Sequence, residues 1–346
     1  MIMKALCGDG AGIGEAASGF SQALVDWFAE HGRSYPWRRT TDPWAILVSE
    51  VMLQQTTIPT VLARYEPWLQ QYPTPAALAE ASEEEALRSW EGLGYYRRVR
   101  ALQAAARAIL QQHAGVFPQE EAAIRALPGI GDYTVGALLS FAFNSPAPLV
   151  DANVSRVFAR VFDDATPIDS PAGRKLHWAW AAELVHPTNP RAYNAALMEL
   201  GQTLCTPRRP NCLLCPVRAW CRTKRPEELP AKLPKKEVTS LEHHDVWCLT
   251  QQGLLLEKQA QSGRHAGMYR LPQREKALLQ GWPFICKQKY SVTRYRVTRF
   301  LYRAPEALPL RAGEEYVPLG SLSHIPIASP DRKIISRLYG ESDEPV

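Results

Sequence analysis

The sequence predicts a two-part, multi-domain protein: an all-α unit carrying a helix-hairpin-helix, followed by a smaller α+β domain. Three observations lead there. Apolar residues recur at helical spacing from Phe20 to about Leu204. Four cysteines then fall within seventeen residues, at Cys205, Cys212, Cys215 and Cys221. After them comes a charged, proline-rich stretch, residues 226–240, and beyond it the composition turns to strand formers. A length of 346 residues agrees with two domains.

The elements can be justified in order. Residues 1–19 are rich in glycine and alanine, lack the apolar core of a signal peptide and read as a flexible tail. Phe20, Leu24, Trp27 and Phe28 form one apolar stripe. Asp42-Pro43 reads as an N-cap with proline in the first turn, and Thr74-Pro75 repeats it. Ser82 with Glu85 makes a capping box. Val99, Leu102, Ala106, Ile109 and Leu110 give a helix over 96–113, with Gly115 just past its end. The helical unit is placed at 20–225, a linker at 226–240 and the second domain at 241–346. In that domain, Val246–Thr250 and Leu254–Lys258 flank Gln251-Gln252-Gly253 as a hairpin, and Tyr290–Tyr302 has strand character.

Composition bounds the function. The apolar content of 46% is ordinary for a globular chain, and no apolar run approaches membrane-spanning length. A net charge of +5 is compatible with a polyanionic partner.

The cysteine spacing is C-x6-C-x2-C-x5-C. Four thiolates so close can converge on one metal centre, either an iron–sulfur cluster or zinc. Buried thiols or disulfides are the plainer alternative, and a disulfide framework belongs to small secreted domains. Cys7, Cys248 and Cys286 are isolated. Arg208, Arg209, Arg218, Arg222, Lys224 and Arg225 stud the same stretch with no acidic residue among them. That suits a phosphate backbone, although a solvated turn would read the same way.

Leu127-Pro-Gly-Ile-Gly-Asp-Tyr-Thr-Val-Gly-Ala-Leu138 has the shape of a helix-hairpin-helix. Gly129 and Gly131 permit a tight turn and close backbone approach, and the following helix offers free N–H groups to an anion. A simple αα-hairpin is the alternative. Two carboxylates stand out. Glu50 sits in a largely apolar helix, where a carboxylate is costly to bury unless used or partnered. Asp151 opens Asp-Ala-Asn-Val-Ser-Arg156 and reads at least as a helix N-cap.

Taken together, the chain resembles adenine DNA glycosylases of the MutY type, within the wider helix-hairpin-helix glycosylase family that includes endonuclease III. The matching pieces are Tyr35-Pro-Trp-Arg38, Ser49-Glu-Val-Met-Leu-Gln-Gln-Thr56, Gly92-Leu-Gly-Tyr-Tyr96, the hairpin, Val150-Asp-Ala-Asn-Val154 and the four cysteines. The resemblance implies a [4Fe–4S] cluster on Cys205, Cys212, Cys215 and Cys221. It implies Glu50 as the general acid on the adenine, and Asp151, with Asn153 beside it, as the stabiliser of the sugar cation. Gln55 and Tyr95 would wedge into the duplex while the adenine flips out. Trp37 and Arg38 would line the entrance of the base pocket.

Bifunctional relatives carry a Schiff-base lysine where this chain has Tyr133, so the resemblance is to the monofunctional branch. The C-terminal region resembles the family's MutT-like (nudix-like) lesion-recognition domain. Gly267–Pro272 fits its G-L-W-x-F-P motif loosely, and the catalytic nudix box is absent. Val292-Thr293-Arg294 stands where the family has an F-S/T-H loop, which raises the question of what Arg294 contacts. The implied partner is double-stranded DNA with A·8-oxoguanine or A·G mispairs, bound by a monomer in the cytoplasm at the nucleoid, with no membrane. A thymine glycosylase for T·G mispairs and a non-catalytic lesion-binding protein are the competing readings.

Overall fold

The computed structural model describes residues 13–234, 237–260, 266–292 and 294–339. Contacts divide the chain into two compact units, 1–75 with 107–234 and 76–106 with 235–346. The division is not one cut near the linker. Residues 76–106, helical as expected, belong with the C-terminal region.

The first unit contains α1 (Ile13–His31), α2 (Pro43–Leu53) and α3 (Ile58–Gln71). Helix α4 (Pro75–Glu80) begins at its edge, and α5 (Glu83–Ser89) and most of α6 (Arg97–Gln112) lie in the second unit. The chain returns to the first unit for α7 (Glu121–Ala126), α8 (Asp132–Phe141), α9 (Ala152–Val161), α10 (Pro171–Leu184) and α11 (Pro190–Thr203). The expected tail falls outside the described residues up to residue 12. From Ile13 on it is helical, so α1 starts seven residues before the expected point.

Local chemistry sets these boundaries. Asp42 caps α2 by accepting from Trp44 N and Ala45 N, and Pro43 fills the first helical position. Ser82 and Glu85 form the capping box at α5. Gly115, at φ 79°, ends α6 in the left-handed region. The core of the unit runs from Phe20 and Leu24 through Leu149, Val157 and Phe158 to Trp180, Leu197 and Leu200. Helix α8 packs closely on the 147–150 segment because residue 136 is glycine. A Cβ there would lie 2.0 Å from the Pro148 carbonyl oxygen.

The expected exposed linker is partly pinned. The Leu229 carbonyl accepts from Arg160 Nε at 3.1 Å, Ala231 O accepts from Ile168 N at 3.0 Å, and Leu233 N donates to Asp169 at 2.8 Å.

The second unit holds two sheets. β1 (Thr239–Trp247) pairs parallel with β6 (Tyr295–Arg303), which pairs antiparallel with β5 (Phe284–Val292). β2 (Leu249–Thr250), β3 (Gly253–Lys258), β4 (Tyr269–Arg270) and β7 (Glu314–Val317) make the other sheet, and α12 (Ser329–Tyr339) closes the chain. The expected strand 246–250 is therefore two strands in two sheets, with buried Cys248 at the switch. Its turn to β3 forms as expected. The centre of this unit carries charge: Arg299 on β6 lies between Asp245 (2.5 Å) and Asp331 (2.8 Å), all three buried. Among the described residues no helix is long and apolar enough to cross a membrane.

Candidate active site

Helix α2 is buried on every side from Trp44 to Met52, as its largely apolar sequence, broken by Ser49 and Glu50, favours. Glu50 is the one carboxylate in it and is 5% exposed. It faces a cavity of about 580 Å³ in the first unit. The cavity wall also carries Trp37, Arg38, Gln55, Tyr133, Asp151 and Asn153. Residues a hundred positions apart in sequence, Glu50 and Asp151, therefore share one chamber.

Each group is held by a local device. Asp151 is the N-cap of α9: one oxygen accepts from Val154 N at 2.7 Å and the other from Asn153 Nδ2 at 2.8 Å. Capping and site geometry are thus one arrangement. Asn153 Oδ1 accepts from Arg156 Nη2 at 2.9 Å, and Arg156 also donates to Gly201 O at 2.6 Å and Cys205 O at 2.8 Å. Helix α11 can pass this close because residue 201 is glycine; a Cβ there would lie 2.7 Å from Asn153 Cβ.

Burial pushes the Glu50 carboxyl up to about 7, a hydrogen bond from the Tyr133 hydroxyl opposes the rise, the charge of Asp151 adds to it and Arg38 lowers it. Burial also holds the Tyr133 phenol well above its usual range, so it stays protonated and donates. Its hydroxyl also lies 3.8 Å from Met198 Sδ. Two carboxyl groups with different environments can divide acid and charge-stabilising work between them.

Sequence reasoning missed Glu199. This buried α11 carboxylate binds Arg38 at 2.8 Å and also pairs with Arg33. Arg38 is further held over the rings of Phe28 (5.2 Å) and Tyr35 (5.0 Å). Only three-dimensional contact reveals that role, since Glu199 lies in an unremarked helical stretch.

Gln55 adopts φ 58°, a left-handed conformation that costs a non-glycine residue energy. In the hairpin, Gly129 needs its glycine, at φ 76°. Gly131 is the N-cap of α8 at φ −102°, and a Cβ there would meet nothing within 4 Å. Its contribution is therefore open space above the helix N-terminus rather than a special dihedral. In the second unit Tyr95 is exposed at φ 50°. Arg294 is exposed at the β5–β6 turn and lies over the Tyr295 ring at 5.2 Å, while Thr293 falls outside the described residues.

Cys205, Cys212, Cys215 and Cys221 line a second cavity of about 460 Å³, with Val157, Val161 and Leu200 in its wall. Among the described residues no three metal-binding side chains approach single-ion spacing. Four thiols around one cavity, with Arg160, Arg218, Arg222 and Lys224 also in its wall, fit an anionic thiolate-held group larger than one ion. Burial pushes the Cys215 thiol up to about 12, so its ionisation calls for a compensating positive centre. Arg160 Nη1 donates to Cys205 Sγ at 3.3 Å.

Residues 48–179 match the HhH-GPD superfamily of base excision DNA repair proteins. Adenine DNA glycosylase of Mycolicibacterium smegmatis is 41% identical over 200 residues, which cover 58% of this chain and 67% of that protein. The chain belongs to the adenine DNA glycosylase family. The human adenine DNA glycosylase is 43% identical over 216 residues, 60% of this chain and 39% of that protein. The chain thus spans about two fifths of the length of its mammalian relatives. A thermostable thymine-DNA glycosylase superposes with a TM-score of 0.55 at 30% identity, covering 59% of this chain and 94% of that one. Endonuclease III from a trapped covalent DNA complex shares the fold, with a TM-score of 0.51 at 21% identity, over 62% of this chain and 96% of that one.

The raised Glu50 carboxyl makes a stability prediction. Its contribution is fully present below the unfolded value of 4.5 and is lost as pH rises through about 7. Glu50→Gln removes that loss. It should stabilise the protein by about 3 kcal/mol above pH 8 and change little at pH 4, as read from denaturant unfolding at both values.

Proposed function

We propose that the protein is a monofunctional adenine DNA glycosylase that hydrolyses the N-glycosidic bond of adenine mispaired with 8-oxoguanine or guanine. The observation that carries this reading is the shared cavity: a carboxyl group raised to about 7 faces the same chamber as Asp151.

The chemistry follows from the two groups. The target bond is unreachable in the stacked duplex, so the adenine must first enter the cavity. Gln55 and Tyr95 are the wedge residues in this reading, and Trp37 and Arg38, both in the cavity wall, are assigned to the entrance of the base pocket. Glu50 gives its proton to a ring nitrogen of the adenine, which leaves with the bond's electron pair. Positive charge then develops on the sugar and is stabilised by the Asp151 carboxylate, whose orientation Asn153 and Val154 N fix. Water adds to the sugar carbon and gives up a proton, which returns Glu50 to its acid form. The Tyr133 phenol cannot form an imine, so no strand-cleaving Schiff base arises from that position. The hairpin, with Gly129 and Gly131 before the N-terminus of α8, suits a backbone phosphate.

The four cysteines are the proposed ligands of a [4Fe–4S] cluster, which when bound supplies a compact metal centre that ties the 205–221 loop together. The second unit is the proposed MutT-like lesion-recognition domain. Its Arg294 is assigned to phosphate: oxidation turns guanine N7 from an acceptor into a donor, so a two-pronged arginine contact would favour plain guanine. Thymine excision from T·G mispairs is the second reading, favoured by the 30% identity with a thymine-DNA glycosylase.

Two measurements test the acid. Glu50→Gln should reduce single-turnover base release at least about a hundredfold while mispair binding persists. In the unmodified protein, release should fall as pH rises through about 7. Tyr133→Phe deletes a hydrogen bond that lowers the Glu50 value, so it should move that limb to higher pH. A limb that stays put or moves down would contradict the assignment.

A further inference from the structure

The loop that presents Tyr95 is short and strained. Gly92 and Gly94 take φ values of 89° and 67°, and Tyr95 follows at 50°. Such a conformation persists only where its surroundings hold it. From one side, Trp90 Nε1 donates to Gly94 O at 3.2 Å, and Arg98 Nη2 donates to Leu93 O at 2.8 Å and to Gly94 O at 3.0 Å. The other hold comes from more than two hundred residues away. Glu91, immediately before the loop, accepts from Nε and Nη2 of Arg332 on α12, at 2.7 and 3.2 Å. Tyr96, immediately after Tyr95, meets Ser329 Oγ at 3.2 Å on the same helix.

Arg332 is itself firmly seated. Its remaining hydrogen bonds go to Leu322 O at 2.8 Å and Ile325 O at 3.0 Å. The preceding residue, Asp331, accepts from Leu271 N at 3.0 Å and from buried Arg299 at 2.8 Å. Arg299 lies on β6, the strand that leaves the turn carrying Arg294. The wedge loop and the strand that departs the Arg294 turn are therefore anchored to one helix. A two-pronged arginine–carboxylate pair fixes direction as well as distance.

We propose that Glu91 and Arg332 are positioning residues for base extrusion: their ion pair holds the Gly92–Tyr95 loop in its strained, wedge-presenting conformation. The proposal rests on the reading of the protein as a base-flipping glycosylase. It predicts that breaking the pair impairs extrusion and spares the chemical step.

The test compares adenine in an A·8-oxoguanine pair with adenine looped out in a one-base bulge, which needs no extrusion. Glu91→Gln keeps the shape and removes the charge; Glu91→Lys reverses it. Single-turnover release from the paired duplex should slow about fivefold for Gln and more for Lys, with Glu91→Asp partly restoring it. Release from the bulge should stay within about twofold. The fluorescence rise of 2-aminopurine at the target position should shrink in parallel. If Glu91→Lys fails to fold, the near-isosteric Gln variant carries the comparison. Equal slowing on both substrates, or no slowing on the paired one, overturns the proposal. Absence of release from either substrate by the unmodified protein would instead count against the proposed function, and the 2-aminopurine signal would still report on the loop.

Discussion

The burial of one carboxyl group, Glu50, is the constraint on which the rest of the first unit depends. Removing a carboxylate from water is expensive, and α2 gives it almost no solvent. The site answers by letting the group stay protonated near neutral pH and by giving it the Tyr133 hydroxyl as a partner. That same proton is what an acid catalyst needs. The apolar helix that would otherwise be plain core is therefore also what raises the Glu50 carboxyl. Asp151 has both oxygens hydrogen-bonded, to Val154 N and Asn153 Nδ2, at the N-terminus of α9.

Close backbone approach completes the arrangement. Gly136 lets the 147–150 segment lie against α8, and Gly201 lets α11 reach Asn153. Arg156 then links Asn153 to the carbonyl of Cys205. The carboxylate of the first cavity and the first cysteine of the second are thus joined by two side chains, and a disturbance of the 205–221 loop has a direct route to Asn153.

Much of this was legible in the sequence because the signals are local. Asp42-Pro43, Ser82 with Glu85 and Asp151 before α9 each specify a helix start within four residues. Glu50 is conspicuous because it interrupts an apolar run. What stayed hidden depends on long-range contact. Glu199 looks like an ordinary helical glutamate until Arg33 and Arg38 are brought to it. The left-handed φ of Gln55 and Tyr95 has no glycine to betray it. The membership of 76–106 in the second unit rests on pairs such as Glu91–Arg332 and Glu84–Lys258, which no periodicity encodes. The split of 246–250 between two sheets turns on pairing partners rather than on β-propensity.

The proposed excision of adenine in this cavity, with Glu50 as its acid, is open to direct test. The most direct measurement is free-base release under single turnover from three duplexes that differ at one pair: A·8-oxoguanine, A·G and T·G. Adenine should be released from the first two, faster opposite 8-oxoguanine, with the abasic strand left uncut and thymine retained. Thymine release from T·G without adenine release from either A-containing duplex would contradict it.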